Sequence, residues 1–235
     1  MAPTFFHDVP PARCTREDLL DVHVAEDATR PRPAVVFVHG GPIPPGHSPR
    51  NTDVFRGYGA LAAAAGLIGI TFDHHLHSGE HYPQAADDVA AAVARTRELP
   101  VVDADRLLLW FFSGGGAIAA AWLRDPPPWL RGIAWTYPIL APPPGWTGDV
   151  PRFDAVEAVG KHPALPTLLV RVGTEIEPAR DTQDAFVAAA DEAGAGLEIL
   201  VIDHAGHGFE VQPYDAEARA VVDRAMAWAV ATLRG

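Results

Sequence analysis

The stretch LLLWFFSGGGAIAAAW, residues 107–122, changes character at its centre. Bulky apolar residues run to Phe112, Ser113 interrupts them, three glycines follow, and alanines continue the chain. The first half reads as a buried strand and the second as a helix. A lone hydroxyl at such a junction has three readings: a nucleophile on a sharp turn, part of a phosphate cradle, or a tight connection. A dinucleotide loop needs a third glycine in the G-x-G-x-x-G register, and a P-loop needs a lysine after its last glycine. Neither is here, and Lys161 is the only lysine of the chain. A nucleophile elbow asks for small residues two positions before and two after the serine. Gly115 meets the second requirement, while Phe111 departs from the first. On such a turn the hydroxyl faces the cleft, and the N–H of Gly114, at the helix start, can donate to an oxyanion.

Working outward, strand-like and helix-like segments alternate. LLDVHVAE (19–26) alternates apolar and polar as a half-buried strand does, and AVVFVH (34–39) is a continuous apolar run ending at glycines, as a central parallel strand is. Residues 53–65 read as a helix closed by Gly66, LIGITF (67–72) as a strand, and 83–98 as a helix with acids early and arginines late. Strands follow at 106–112, 132–137, 166–172 and 197–202, and helices at 114–124, 180–193 and 214–233. This order predicts a mostly parallel sheet with helices on both faces, in one domain spanning 1–235. Ligands of such sheets sit at the carboxyl ends of the strands, which directs attention to the loops there.

A serine nucleophile needs a base, an acid to orient the base, and a second oxyanion donor. VFVHGGP (36–42) places Gly41 after a strand with a free N–H, while Pro42 has none to give. DHAGHGFEV (203–211) places His207 between two glycines after the last strand. VRVGTEIEP (170–178) offers Glu175 or Glu177 after the strand before it. All of these pieces fall at strand ends, in the chain order serine, acid, histidine. His204 and Asp203 are weaker alternatives for base and acid.

The set resembles the α/β-hydrolase superfamily, and among its members the small dienelactone-hydrolase-like and acetyl-esterase-like ones. HGGP, the serine elbow, the G-x-E after a strand, H-x-G-H-G-F, and the P-x-x-x-x-D of HYPQAADDVAAAV (81–93) match part by part, from about residue 20 to the end. The resemblance implies Ser113 as nucleophile, His207 as base, Glu175 as acid, and Gly41 with Gly114 as oxyanion donors. It implies hydrolysis of small soluble carboxylic esters through an acyl-enzyme, without a cofactor. The usual lid position holds only PILAPPPGWTGDVPRFD (138–154), too short for a large helical cap, so a minimal cap and an open site are expected. Tyr137, Trp146 and Phe209 are candidate pocket residues. A small peptidase of the prolyl-oligopeptidase type and a non-catalytic binding protein of the same fold are the alternatives.

Composition narrows the partners. Of 235 residues 48% are hydrophobic, enough for a sizeable core, and the net charge of −12 argues against a nucleic-acid or anionic-membrane surface. No apolar run approaches the roughly 18 residues of a membrane span, no secretory signal is visible, and one cysteine forms no intrachain disulfide. A cytoplasmic protein is expected. DHHLHSGEH (73–81) gathers four histidines, but their spacing matches no H-E-x-x-H helix, and a polar wall rather than a metal is expected.

Overall fold

The computed structural model describes residues 5–9, 11–26, 29–143, 145–212 and 215–235. Eight strands form one sheet: β1 (Arg13–Glu17), β2 (Leu20–Val24), β3 (Arg32–Val38), β4 (Ile68–Phe72), β5 (Val102–Phe112), β6 (Leu130–Thr136), β7 (Thr167–Thr174) and β8 (Leu197–Gly206). Their order is β1-β2-β4-β3-β5-β6-β7-β8. β1 and β2 pair antiparallel, as do β2 and β4, and from β4 onward every pair is parallel. Among the described residues six α-helices accompany the sheet: α1 (Asp53–Ala64), α2 (Tyr82–Arg97), α3 (Ala120–Arg124), α4 (Ala155–Ala158), α5 (Glu177–Ala193) and α6 (Ala216–Arg234).

The central strands are apolar throughout because both faces are covered. Along β5, Leu107, Leu109 and Phe111 pack on one side with residues of α2, α3, α4 and α5. Leu108, Trp110 and Phe112 pack on the other with residues of α1 and α6. Phe111, the departure at the elbow, thus lies in the core, fully buried and stacked on Trp135 at 6.5 Å. Its bulk is taken up by that core.

Helix ends follow local chemistry. Asp215 caps α6 by accepting from the N–H groups of Glu217 and Ala218, and Gly194 ends α5 in the left-handed conformation at φ 62°. Tyr214, placed in the last helix by the sequence pattern, lies outside the described residues.

Two expectations change. The segment read as a helix over 114–124 winds as a 3₁₀ helix from Ser113 to Ala119 and becomes α-helical only over Ala120–Arg124. Its glycines press their backbone against the segments that follow β3 and β6, and they favour the α-helix poorly. β1 also escaped the pattern: its sequence, RCTRE, is polar and almost wholly exposed, so no alternation marks it. The loop after β6 contains only short helical pieces, Pro151–Phe153 and α4, and leaves the minimal cap expected.

Candidate active site

Ser113 follows β5 at φ 48°, a left-handed conformation that costs a non-glycine residue energy. Its Oγ lies 2.7 Å from His207 Nε2. The glycines around it let the backbones close in. A Cβ on Gly114 would stand 2.3 Å from the Gly41 oxygen, and one on Gly115 2.4 Å from the His39 oxygen. A Cβ on Gly40 would stand 2.7 Å from Ser113 Cβ. The two predicted oxyanion residues are therefore in backbone contact. Gly41 N makes no backbone hydrogen bond, and Gly114 N sits in the first turn of its 3₁₀ helix, where an N–H has no intrahelical acceptor. Tyr82 donates its hydroxyl to the Gly114 oxygen at 2.7 Å, and burial pushes that phenol up to about 12, so it remains a donor at neutral pH.

Glu175 reaches His207 through a crossing that only glycine permits. A Cβ on Gly173 would lie 1.7 Å from the Asp203 oxygen, and at this contact the β7–β8 register shifts between Val172 and Thr174. Beyond the shift, Glu175 Oε1 stands 2.7 Å from His207 Nδ1. A buried carboxylate is costly unless its oxygens are paired. Here Oε1 also accepts from Ile176 N at 2.8 Å, and Oε2 accepts from Gln183 Nε2 at 3.1 Å. Gln183 gives its other hydrogen to the Pro138 oxygen at 3.0 Å. With Nδ1–H donated to Glu175, the Nε2 lone pair of His207 faces the Ser113 hydroxyl. The arrangement can move a proton from Oγ to the imidazole while a carboxylate compensates the charge.

The alternatives lie elsewhere. Glu177 opens α5, is exposed, and makes no contact with His207. His204 is exposed between Asp215 and Glu217 on α6, and the Asp215 hydrogen bond raises its pKa. Asp203 is exposed as well.

The histidine loop braces the segment after β3. His39 and His74 stack at 3.6 Å and are both buried. His39 Nδ1 donates to the Gly40 oxygen at 2.6 Å, and its Nε2 accepts from His74 N at 3.1 Å. His74 Nε2 donates to the His39 oxygen at 2.9 Å. Burial holds His39 down at about 4 and His74 well below its usual value, so both are neutral. His75 pairs with Asp88, His77 with the Ile43 oxygen, and His81 with Ser78. Among the described residues no group of three or more His, Cys, Asp or Glu is placed to hold a metal ion.

Solved structures match this framework over nearly its whole length. An arylesterase superposes with a TM-score of 0.75 at 17% identity, over 98% of this chain and 88% of its own. EstE1, a thermophilic carboxylesterase from a metagenomic library, gives 0.72 at 19%, over 97% and 91%. A putative dienelactone hydrolase from Klebsiella pneumoniae gives 0.66 at 19%, over 89% and 91%. The BD-FAE family model matches residues 20–122, from β2 through the serine elbow. The chain has the α/β-hydrolase fold. No curated protein sequence matches it.

Two cavities adjoin the chain neighbours of Ser113 and His207, although neither of those two residues lines them. One, of about 560 Å³, touches Gly41 and Gly114. The other, of about 520 Å³, touches Tyr137, Gly208 and Glu210. A wider hollow of about 700 Å³ at the β1–β2 edge touches none of the residues above. Of the expected pocket residues, Tyr137 lies beside His207, the two rings 4.6 Å apart. Trp146 lines neither of the first two cavities; it packs on Tyr82 and Phe153 and donates to the Gly79 oxygen at 3.1 Å, holding the cap loop down. Phe209 is turned into the core between Phe6 and Tyr137 and lines neither of them, because its ring completes an aromatic cluster there.

Three residues of this site were not singled out from sequence. Gln183 shares the buried stripe of α5 with Ala179, Phe186 and Ala190, and a polar residue at that spacing is the signal that could have found it. Glu210 is buried and accepts from Tyr58 at 3.0 Å and Tyr137 at 2.6 Å, and burial raises its pKa. Tyr82 has no sequence signal of its own.

Proposed function

We propose that the protein is a serine hydrolase of small soluble carboxylic esters, with Ser113 as nucleophile, His207 as base and Glu175 as orienting acid. The observation that carries this reading is the unbroken chain of hydrogen bonds from Ser113 Oγ through His207 to Glu175, at 2.7 Å on each side of the imidazole. Ser113 Oγ attacks the carbonyl carbon while His207 Nε2 takes its proton. The carbonyl π electrons move to oxygen, and the N–H groups of Gly41 and Gly114 receive the oxyanion. His207 returns the proton to the leaving alcohol, and an acyl-serine remains. Water, deprotonated by His207, then releases the acid and regenerates Ser113. Each oxyanion donor in such a site is worth about 3 kcal/mol in the transition state.

A fluorophosphonate probe and a panel of short-chain esters and peptide amides test the reading. Labelling should depend on Ser113, esters should be cleaved in preference to amides, and Ser113→Ala should abolish turnover in a folded protein. Undiminished hydrolysis by folded Ser113→Ala would rule the mechanism out.

A further inference from the structure

Two carboxylates stand at the cavity beside Gly41 and Gly114, and no described residue pairs with them. The cavity is walled by apolar groups, among them Pro42, Leu76, Tyr82, Ile139, Pro142 and Pro178. Glu177 and Asp181 line it too, one helical turn apart on α5 and both exposed. Neither makes an ion pair or a side-chain hydrogen bond with a described residue. Like charges at this spacing repel. Glu177 has a local reason for its place, since the first residue of a helix sits in the positive end of the dipole. Asp181 lies beyond that turn, where the dipole does nothing for it. No arginine or lysine is among the described residues that line the cavity.

The chemistry assigns the two cavities. His207 Nε2 must reach the leaving oxygen, so the alcohol belongs on the His207 side, where the second cavity meets Gly208 and Tyr137. The acyl substituent is left the direction past Gly41 and Gly114. We propose that the apolar cavity there holds the acyl portion of the ester, and that Glu177 and Asp181 make it select uncharged or cationic acyl groups over carboxylate-bearing ones. The inference rests on the acyl-transfer reading above and adds the charge of the substrate to it. An anionic acyl group would lose its hydration against apolar walls, find no cation, and meet two negative charges. A quaternary ammonium at the end of the same chain would meet two unpaired carboxylates.

Ethyl butyrate, monoethyl succinate and ethyl 4-(trimethylammonio)butyrate share a leaving group and a four-carbon acyl chain, so their kcat/KM values compare the acyl end alone. Proton release followed at constant pH reads all three. The succinate ester should fall at least about tenfold below the butyrate, with the ammonium ester level with the butyrate or above it. In Glu177→Gln/Asp181→Asn the ammonium-to-succinate ratio should shrink about tenfold, and added salt should shrink it in the parent protein. Succinate turnover equal to butyrate, or a ratio that the double variant leaves unmoved, overturns the inference while Ser113 is still labelled by fluorophosphonate. Absence of both labelling and ester cleavage brings down the underlying reading and the inference with it.

Discussion

Glu175 and Glu177 are two residues apart and chemically alike, yet only one meets the imidazole. Glu175 is buried with both oxygens occupied, and it fixes the tautomer that leaves His207 Nε2 free for Ser113. Glu175→Gln should therefore lower kcat for short-chain esters by several orders of magnitude, with about 10⁴-fold as the precedent for a triad acid. Glu177→Gln should cost far less on an uncharged ester, because Glu177 touches no reacting group. Steady-state kinetics of the two variants decide the matter, and the reverse ranking would place the acid in the wrong position. Gln183 belongs to the same unit, as its amide occupies the second oxygen of Glu175.

At the scale of elements, the segment after β3 carries Gly41, the proposed oxyanion donor, and is braced by two neutral histidines. Unfolded histidine protonates near 6.5, whereas His39 in the fold does so only near 4 and burial holds His74 well below its usual value. Between those values the unfolded chain binds more protons, so stability rises with pH there. The contribution is complete above about pH 6.5 and is lost as pH falls through 4, amounting to about 3 kcal/mol for His39. His23, buried beneath α1 and held near 4 by that burial, acts in the same direction. Thermal melts should show Tm falling steadily from pH 7 to 4.5, and His39→Asn should flatten that slope. A Tm independent of pH over this range would contradict the neutral pair.

For the whole molecule, the question is whether the histidine-rich loop brings a metal to the cleft. A ring nitrogen of each loop histidine has its own partner: the His39 oxygen for His74, Asp88 for His75, the Ile43 oxygen for His77 and Ser78 for His81. The acyl transfer proposed for Ser113 needs none. Chelators should leave ester hydrolysis unchanged, and elemental analysis of protein made without a His-tag should find no stoichiometric metal. One metal per chain, with activity lost on chelation, would replace the mechanism proposed here. Among the described residues no helix is long and apolar enough to cross a membrane.

The sequence by itself determined the alternation of strands and helices, the parallel sheet, and the chain order of serine, acid and histidine at strand ends. Those features rest on local physics: apolar runs for buried strands, helical periodicity, and glycines wherever two backbones must touch. Local patterning does not describe contacts between distant segments, and there the tertiary structure decided. The exposed strand β1 carries no apolar pattern because its place comes from pairing with β2. Ser113–Ala119 winds tightly because its glycines press on residues 39 to 41 and 138. Glu175 rather than Glu177 meets His207 because Gly173 lets β7 shift register against β8, a choice made by two strands together.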